Sequence, residues 1–348
     1  MNKLKILLGI LILVFAFLVG IIVITGKIPF IQNKTRLSIG IYEGDSPFQL
    51  FSHKNANNPV LTYKDVTDVK ADFVADPFMV QEGGTWYMFF EVFNSKTHQG
   101  DIGFAQSKDG THWSYQQIVL DELFHLSYPY VFKWENEYYM IPESYHADSI
   151  RLYQAKKFPY EWEFRKTLLK GRYIDSSIFH HDGKWWIFTA TTIDNCTLRL
   201  YYAKDLDGVW VEHPKSPIVK EDANIARPGG RVLILNNKIY RFPQDDYPEY
   251  GNQVLAFEIT ELTTETYEEN EIEESPILKT GKSGWNRYGM HHVDIQKNGE
   301  DKWIACVDGI SRYYVLNLGS FYKRLSQYFI EIKKYLLGMS VGPSANRG

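Results

Sequence analysis

Acidic residues recur at two fixed places in a repeating pattern. Asp76 and Asp175 open the segments DPFMVQEGGTWYMFFE and DSSIFHHDGKWWIFTA, while Glu91 closes the first of these and Glu143 closes YPYVFKWENEYYMIPE. Placed in register, the opening position reads Asp76, Tyr128, Asp175, Arg227 and His291 or His292. The closing position, fifteen residues later, reads Glu91, Glu143, Ala190, Gln244 or Asp245, and Asp308. Strands as apolar as WYMFFE and EYYMIPE would not end on an acid that was simply core, because a buried unpaired charge costs several kcal/mol. The acids are therefore expected to meet in a polar pocket. Paired carboxyl groups there, among Asp76, Glu91, Glu143 and Asp175, could do general acid–base or nucleophilic chemistry. Tyr128, Arg227, Arg231, Asp245, His291, His292 and Asp308 are the candidate substrate contacts.

Each of these residues also has a structural explanation. Asp76 before Pro77 suits a turn, and Asp175 before two serines suits a local cap. Glu91 and Glu143 could pair with Arg227 and Arg231 across a channel. Strand alternation sends one of His291 and His292 outward, so at most one is expected in the site. His180 and His181, beside Asp182 and Gly183, read as surface residues at a turn. A carboxylate-rich pocket could hold Ca²⁺ through oxygen ligands, but no D-x-D-x-D loop accompanies these acids, and neither a metal nor another cofactor is expected.

The elements that would bring these positions together are themselves a repeat. AQSKDGTHW from Ala105, AKKFPYEW from Ala155 and AKDLDGVW from Ala203 each follow a short alternating strand, run through a Gly or Pro turn and end on Trp. Upstream of each lies one of the sixteen-residue strand pairs, with turns at EGG, WENE and HDG. Weaker copies begin at Arg227 and His291. The last would be completed by SRYYVLNL together with the early strand RLSIGIYEG. Five units of four short strands, closed by a strand from the other end of the chain, describe an all-β five-bladed propeller over residues 37–318. A β-sandwich is the alternative, though it would not require four matched strands per unit. In a propeller the innermost strands line one axial channel, which turns distant register positions into neighbours.

Charge divides the 348-residue chain in three. Residues 1–36 carry Lys3, Lys5, Lys27, Lys34 and Arg36 and no acid; the segment 319–348 is also basic; the body between holds a net charge of about −13. An acidic body argues against nucleic-acid binding, which needs a basic face. A composition 44% hydrophobic and 16% aromatic excludes a disordered chain. Cys196 and Cys306 make neither a disulfide framework nor a zinc pattern, and read as two small buried residues. Ile6–Gly26 is uncharged and long enough to cross a bilayer as a helix, and no cleavage-site pattern follows it. It reads as an uncleaved single-pass anchor with the body extracytoplasmic. Phe321, Leu325, Tyr328, Phe329, Ile332 and Leu336 recur at helical spacing among Lys323, Arg324, Lys333 and Lys334, which predicts an amphipathic C-terminal helix, either lying on the membrane or packed on the body.

The motifs ADPFM and IDSSIFHHDGKWWIF resemble the blade openings of five-bladed glycoside hydrolases such as family 43. That resemblance implies a general base at Asp76 and an orienting Asp at Asp175, with Glu143 of MIPES as a positional substitute for the acid. From about Ser38 to Val315 the motifs FVADPFM, FFE, QGDIGFA, HLSYPYVF, MIPES, ARPGGRV, FPQD and HHVDIQ more closely resemble the N-terminal propeller of the glucosamine inositolphosphorylceramide transferase family and its bacterial relatives. In the plant proteins this resemblance implies a separate C-terminal glycosyltransferase domain. The present chain, ending soon after its fifth blade, is expected to be the propeller without it.

Two functions follow as expectations. One is a membrane-anchored enzyme of glycosidase or glycosyltransferase type, acting on an envelope glycan or glycolipid in polysaccharide biosynthesis or remodelling. The other is a non-catalytic glycan-binding partner of a separate glycosyltransferase. A protein-interaction propeller would lack the concentrated axial charge.

Overall fold

Paired residues able to adopt left-handed backbone punctuate the chain. Gly83–Gly84, Glu135–Asn136, Asp182–Gly183 and Asn236–Asn237 all have positive φ, the requirement of a two-residue type I′ turn, whose twist matches that of its strands. The strands they join pair tightly, with Glu82 opposite Thr85, Trp134 opposite Glu137, His181 opposite Lys184 and Leu235 opposite Lys238. The Trp that ends each repeated motif has a defined task. Trp113 donates its indole N–H to Gly110 O at 2.9 Å, Trp162 to Pro159 O at 2.9 Å and Trp210 to Leu206 O at 3.3 Å, clipping the turn before the outermost strand.

The computed structural model describes residues 2–25, 31–191 and 196–316. Among these residues it contains five four-stranded antiparallel sheets, the blades of a five-bladed propeller. Blade 1 is Ala71–Glu82, Thr85–Asn94, Gln99–Ser107 and Ser114–Leu120; blade 2 is Ser127–Trp134, Glu137–Glu143, Ser149–Lys157 and Glu161–Lys170. Blade 3 is Tyr173–His181, Lys184–Thr191, Leu198–Ala203 and Val211–Glu212; blade 4 is Leu233–Leu235, Lys238–Arg241, Phe257–Leu262 and Tyr267–Glu271. A small ribbon, Gln244–Asp245 with Gln253–Val254, interrupts blade 4. The inner strands of blades 1, 2 and 3 lie side by side, and apolar clusters fill the spaces between blades. One of them unites Phe78, Phe89, Tyr130, Met140, Ile178 and Trp185.

Blade 5 closes the ring differently from the expectation. Its order is Val293–Lys297, Trp303–Leu316, Ile31–Ser46 and Gln49–Ser52, so both outer strands come from the start of the chain. SRYYVL continues the second strand instead of forming a new one. Gly309, within that continuous strand, allows close packing: a Cβ there would collide with Asn286 and the Trp285 ring.

Cys306 is buried as expected, whereas Cys196 is partly exposed. Outside the compact unit of residues 36–311, Asn2–Thr25 is one helix. Its segment Lys5–Val23 has a mean hydropathy of 3.4 and suffices to cross a membrane, which makes it a candidate anchor or signal sequence. The expected amphipathic helix at 319–348 lies outside the described residues.

Candidate functional site

The inner strands of blades 1 to 3 share a bulge. Pairing slips between Ala75 and Phe78, between Ser127 and Tyr130, and between Ile174 and Ser177. Within each slip one residue is left-handed: Asp76 at φ 52°, Tyr128 at 45° and Asp175 at 48°. These are the register positions singled out in the sequence. A bulge re-aims a side chain and frees backbone groups from the ladder, and here the freed amides join blades. Asp76 N–H donates to Asp308 Oδ2 of blade 5 at 3.0 Å, and Tyr128 N–H donates to Asp76 Oδ2 at 3.3 Å.

Around Asp76 the predicted residues converge. His291 Nε2 is 3.7 Å from Asp76 Oδ1, while His291 Nδ1 and Asp308 Oδ1 are 2.6 Å apart. Across the channel Arg227 Nε donates to Asp175 Oδ2 at 2.6 Å, and Gln244 Nε2 donates to the same oxygen at 2.8 Å. Glu143 lies in hydrogen-bonding contact with Asp175. Glu91 has its Oε1 3.6 Å from His125 Nε2. Asp175, Glu91 and Asp308 are buried, whereas the side chains of Asp76 and Arg227 keep 13% and 15% of their exposure.

Acids outnumber cations here, and the protonation states divide accordingly. Burial pushes Asp76 up to about 7, with the Asp175 and Asp308 carboxylates adding to it and His291 and Arg227 working against it. Burial also lifts Glu143 well above the usual carboxyl range, with the Asp175 charge next in weight, and lifts Glu91 with help from Asp76 and Glu143. Burial alone would discharge His291, but Asp308 holds it up at about 9; His291 in turn keeps Asp308 below its ordinary value against the effect of burial. The site therefore contains two ion pairs, two glutamic acids biased toward the protonated form and one aspartate poised near neutrality. Asp76, His291 and Asp308 also bring ligand-type atoms within 4.8 Å of one another, but the direct His291–Asp308 contact is that of a hydrogen-bonded ion pair.

Other candidates lie elsewhere. Tyr128 is fully buried, its hydroxyl 2.8 Å from Ser177 Oγ and donating to Gly230 O at 3.0 Å. Arg231 pairs with Asp294 at 2.6 Å and donates to Val131 O at 2.9 Å. The proposed glutamate–arginine bridges across the channel are absent among the described residues: Arg227 binds Asp175 and Arg231 binds Asp294. Neither histidine turns outward. His292 is buried and donates from Nε2 to Pro77 O at 2.9 Å, with Nδ1 4.0 Å from Asp76. Both histidines precede the inner strand Val293–Lys297, so strand alternation does not govern them. Asp245 organises the blade 4 ribbon by accepting from Asn224 Nδ2, Asn252 Nδ2 and Gln253 Nε2 at 2.6, 3.1 and 2.9 Å. His180 packs against Trp134 and Trp185.

Sequence reasoning missed three contributors. Asp246 Oδ2 is 3.8 Å from Arg227, and Tyr250 sets its ring against His291 with centroids 5.0 Å apart. His125 accepts the Gly100 amide at Nδ1 over 2.8 Å, leaving Nε2 to carry the proton facing Glu91. Gly100 belongs to QGD and His125 to HLSYP, so the resemblance motifs held two of the residues involved. A Cβ at Gly100 would strike Leu126 O and Glu91, which explains the glycine.

Comparison with known proteins agrees with this architecture. Among solved structures, the β-1,2-mannobiose phosphorylase of Listeria innocua superposes with a TM-score of 0.56 at 13% identity, covering 83% of this chain and 99% of that one. A thermostable family-43 glycoside hydrolase gives 0.51 at 16% identity, covering 70% and 90%. Both likenesses are of fold. In sequence, the chain is 40% identical over 297 residues to glucosamine inositolphosphorylceramide transferase 1 of Oryza sativa subsp. japonica, a match covering 78% of this chain. It spans only 40% of that relative's length. The profile described as "Glucosamine inositolphosphorylceramide transferase 1, N-terminal" matches residues 31–310, and the chain belongs to that family.

Proposed function

We propose that this chain is a membrane-tethered, glycan-active propeller whose axial acids act on a cell-envelope glycan or glycolipid, in polysaccharide biosynthesis or remodelling. The observation that carries the reading is the division of labour around Asp175. Its charge is committed to Arg227, and Glu143 beside it is pushed toward the protonated form. Glu143 is then an acid able to protonate a glycosidic oxygen, while Asp76, poised near neutrality, is the base or nucleophile. Glu91, held behind them by His125, is the reserve acid. Hydrolysis is the version in which water is the acceptor. The rice relative's name contains a sugar and a lipid, glucosamine and inositolphosphorylceramide, which supports a glycolipid presented near a bilayer. The helix Asn2–Thr25 would be the tether, with the body extracytoplasmic; protease accessibility of the body in intact cells tests that side.

A second reading, a non-catalytic glycan-binding partner of a separate glycosyltransferase, is favoured by the length of chain matched. The 40% of the rice protein that aligns leaves room for its transfer step elsewhere. Both readings are separated by incubating the full chain, in detergent micelles, with envelope glycans and nucleotide sugars beside Asp76→Asn and Glu143→Gln. Loss of turnover by about 100-fold or more in both variants is expected for general acid and base roles. Turnover indifferent to both substitutions would remove the named acids, and binding without turnover would select the second reading.

A further inference from the structure

The ribbon that interrupts blade 4 reaches over the acid cluster. Its tip, residues 246–252, is held from both ends: Asp245 accepts the Tyr247 amide at 3.2 Å besides its three side-chain donors, and Asp246 accepts the Gly251 amide at 3.0 Å. Two glycines let it descend onto blade 5. Gly251 is left-handed at φ 65°, and a Cβ on it would press into His291; a Cβ on Gly289 would strike the Gly251 carbonyl. The descent sets Tyr250 beside the charged groups. Its ring meets His291 edge to face at 78°, and the Arg227 guanidinium carbon lies over it, 5.3 Å from the centroid. With these two cations on its inner side, the ring still leaves the residue 44% exposed.

An aromatic surface fixed next to a floor of carboxyl groups matches a ligand with one apolar face and a polar edge. A pyranosyl ring has that form, its C–H face stacking on the aromatic ring and its hydroxyls reaching the acids. The wall is also preorganised, because neither the ribbon nor the ring must be ordered on binding. Charge narrows the class further. Asp175, Asp246 and Asp308, joined by Asp76 as it ionises, outnumber the cations Arg227 and His291, a balance that disfavours a diphosphate or a uronate.

Deepening the glycan reading on which it rests, we infer that Tyr250 is the stacking wall of this site and that it receives a sugar ring without negative charge, hydroxyl edge toward Asp76. Titration calorimetry on the full chain in micelles tests this with β-1,2-mannobiose, β-1,3-galactobiose and glucosaminyl-inositol as probes, and UDP-N-acetylglucosamine as the anionic counterpart. For whichever non-anionic probe binds, Tyr250→Ala is expected to weaken binding by about tenfold and Tyr250→Phe by less than about twofold. Tyr247→Ala, on the same ribbon and 66% exposed, is expected to leave it unchanged. Equal affinity in Tyr250→Ala and wild type, with binding still lost in Asp76→Asn, would overturn the wall and spare the glycan site. Equal losses from Tyr247→Ala and Tyr250→Ala would reduce the effect to ribbon disturbance and also overturn it. Tighter binding of the nucleotide sugar than of every non-anionic probe would overturn the charge argument, and no binding by wild type would overturn both readings.

Discussion

Two clusters of buried charge lie along one channel and are built to opposite specifications. In the deeper one, Asp294 receives Arg231 Nε at 2.6 Å on one oxygen and the Met79 amide at 2.6 Å on the other, while Arg231 also reaches Val131 O. Tyr128 closes the same layer through Ser177 and Gly230. Each charge has its opposite, and the aromatic rings of Phe78 and Tyr130 lie 5.5 and 4.7 Å from the guanidinium. The upper cluster has the same kinds of residue but too few cations, and Asp76, Glu91 and Glu143 are left to compete for protons. Satisfied charge makes a plug that joins blades; unsatisfied charge is what the proposed glycan site would need of its acids.

Removing one partner from the plug should therefore have the largest effect. Asp294→Ala leaves Arg231 charged, buried and unpaired, and is expected to destabilise the propeller by about 3–5 kcal/mol. Chemical denaturation of the variant checks this, and a loss below about 1 kcal/mol would erase the contrast between the two layers.

The upper cluster predicts the reverse sign. Asp76 has a pKa near 7 in the folded protein and 3.8 as its ordinary value, so the folded state holds more protons between these limits. Stability contributed by the protonated form is present below about pH 4 and is lost as pH rises through 7. Asp76→Asn removes that loss and should stabilise the fold by about 1–3 kcal/mol at pH 8, with little change at pH 4, while activity falls. Melting temperatures of both proteins across this range test it; a variant less stable than wild type at pH 8 would place Asp76 with the plug.

Much of this contrast can be read from the chain before folding, because the four-strand repeat fixes a register. That register is sufficient to bring Asp76, Glu91, Glu143, Asp175, Arg227 and Asp308 to one end of one channel. It does not decide how they pair. Arg227 and Arg231 are four residues apart, yet one binds an acid of blade 3 and the other an acid of blade 5, a choice made by inter-blade geometry. Tyr250, Asp246 and His125 come from segments outside the repeated strands, where alignment of blades says nothing. The closing strand was legible as a motif, whereas the continuity through Gly309 was not, since a glycine serves a turn and a tight contact equally well in sequence.

The finest division between the layers runs between adjacent residues. His291 sits over Asp308 and beside Asp76, so its charge is matched and the ring should stay protonated until about pH 9. His292 is pushed down to about 4, first by burial and then by the neighbouring His291 charge, and its Nε2–H is fixed on Pro77 O. One ring is expected to show two protonated nitrogens at pH 7 and the next ring only one, at Nε2. Nitrogen-15 correlation spectra of histidine-labelled protein distinguish these patterns. Asp308→Asn removes the carboxylate that sustains the first ring, so its titration should fall toward or below the ordinary 6.5 while His292 stays neutral. If both rings instead titrate together near 6.5, the two layers share one electrostatic environment, and the plug and the site are not separate devices.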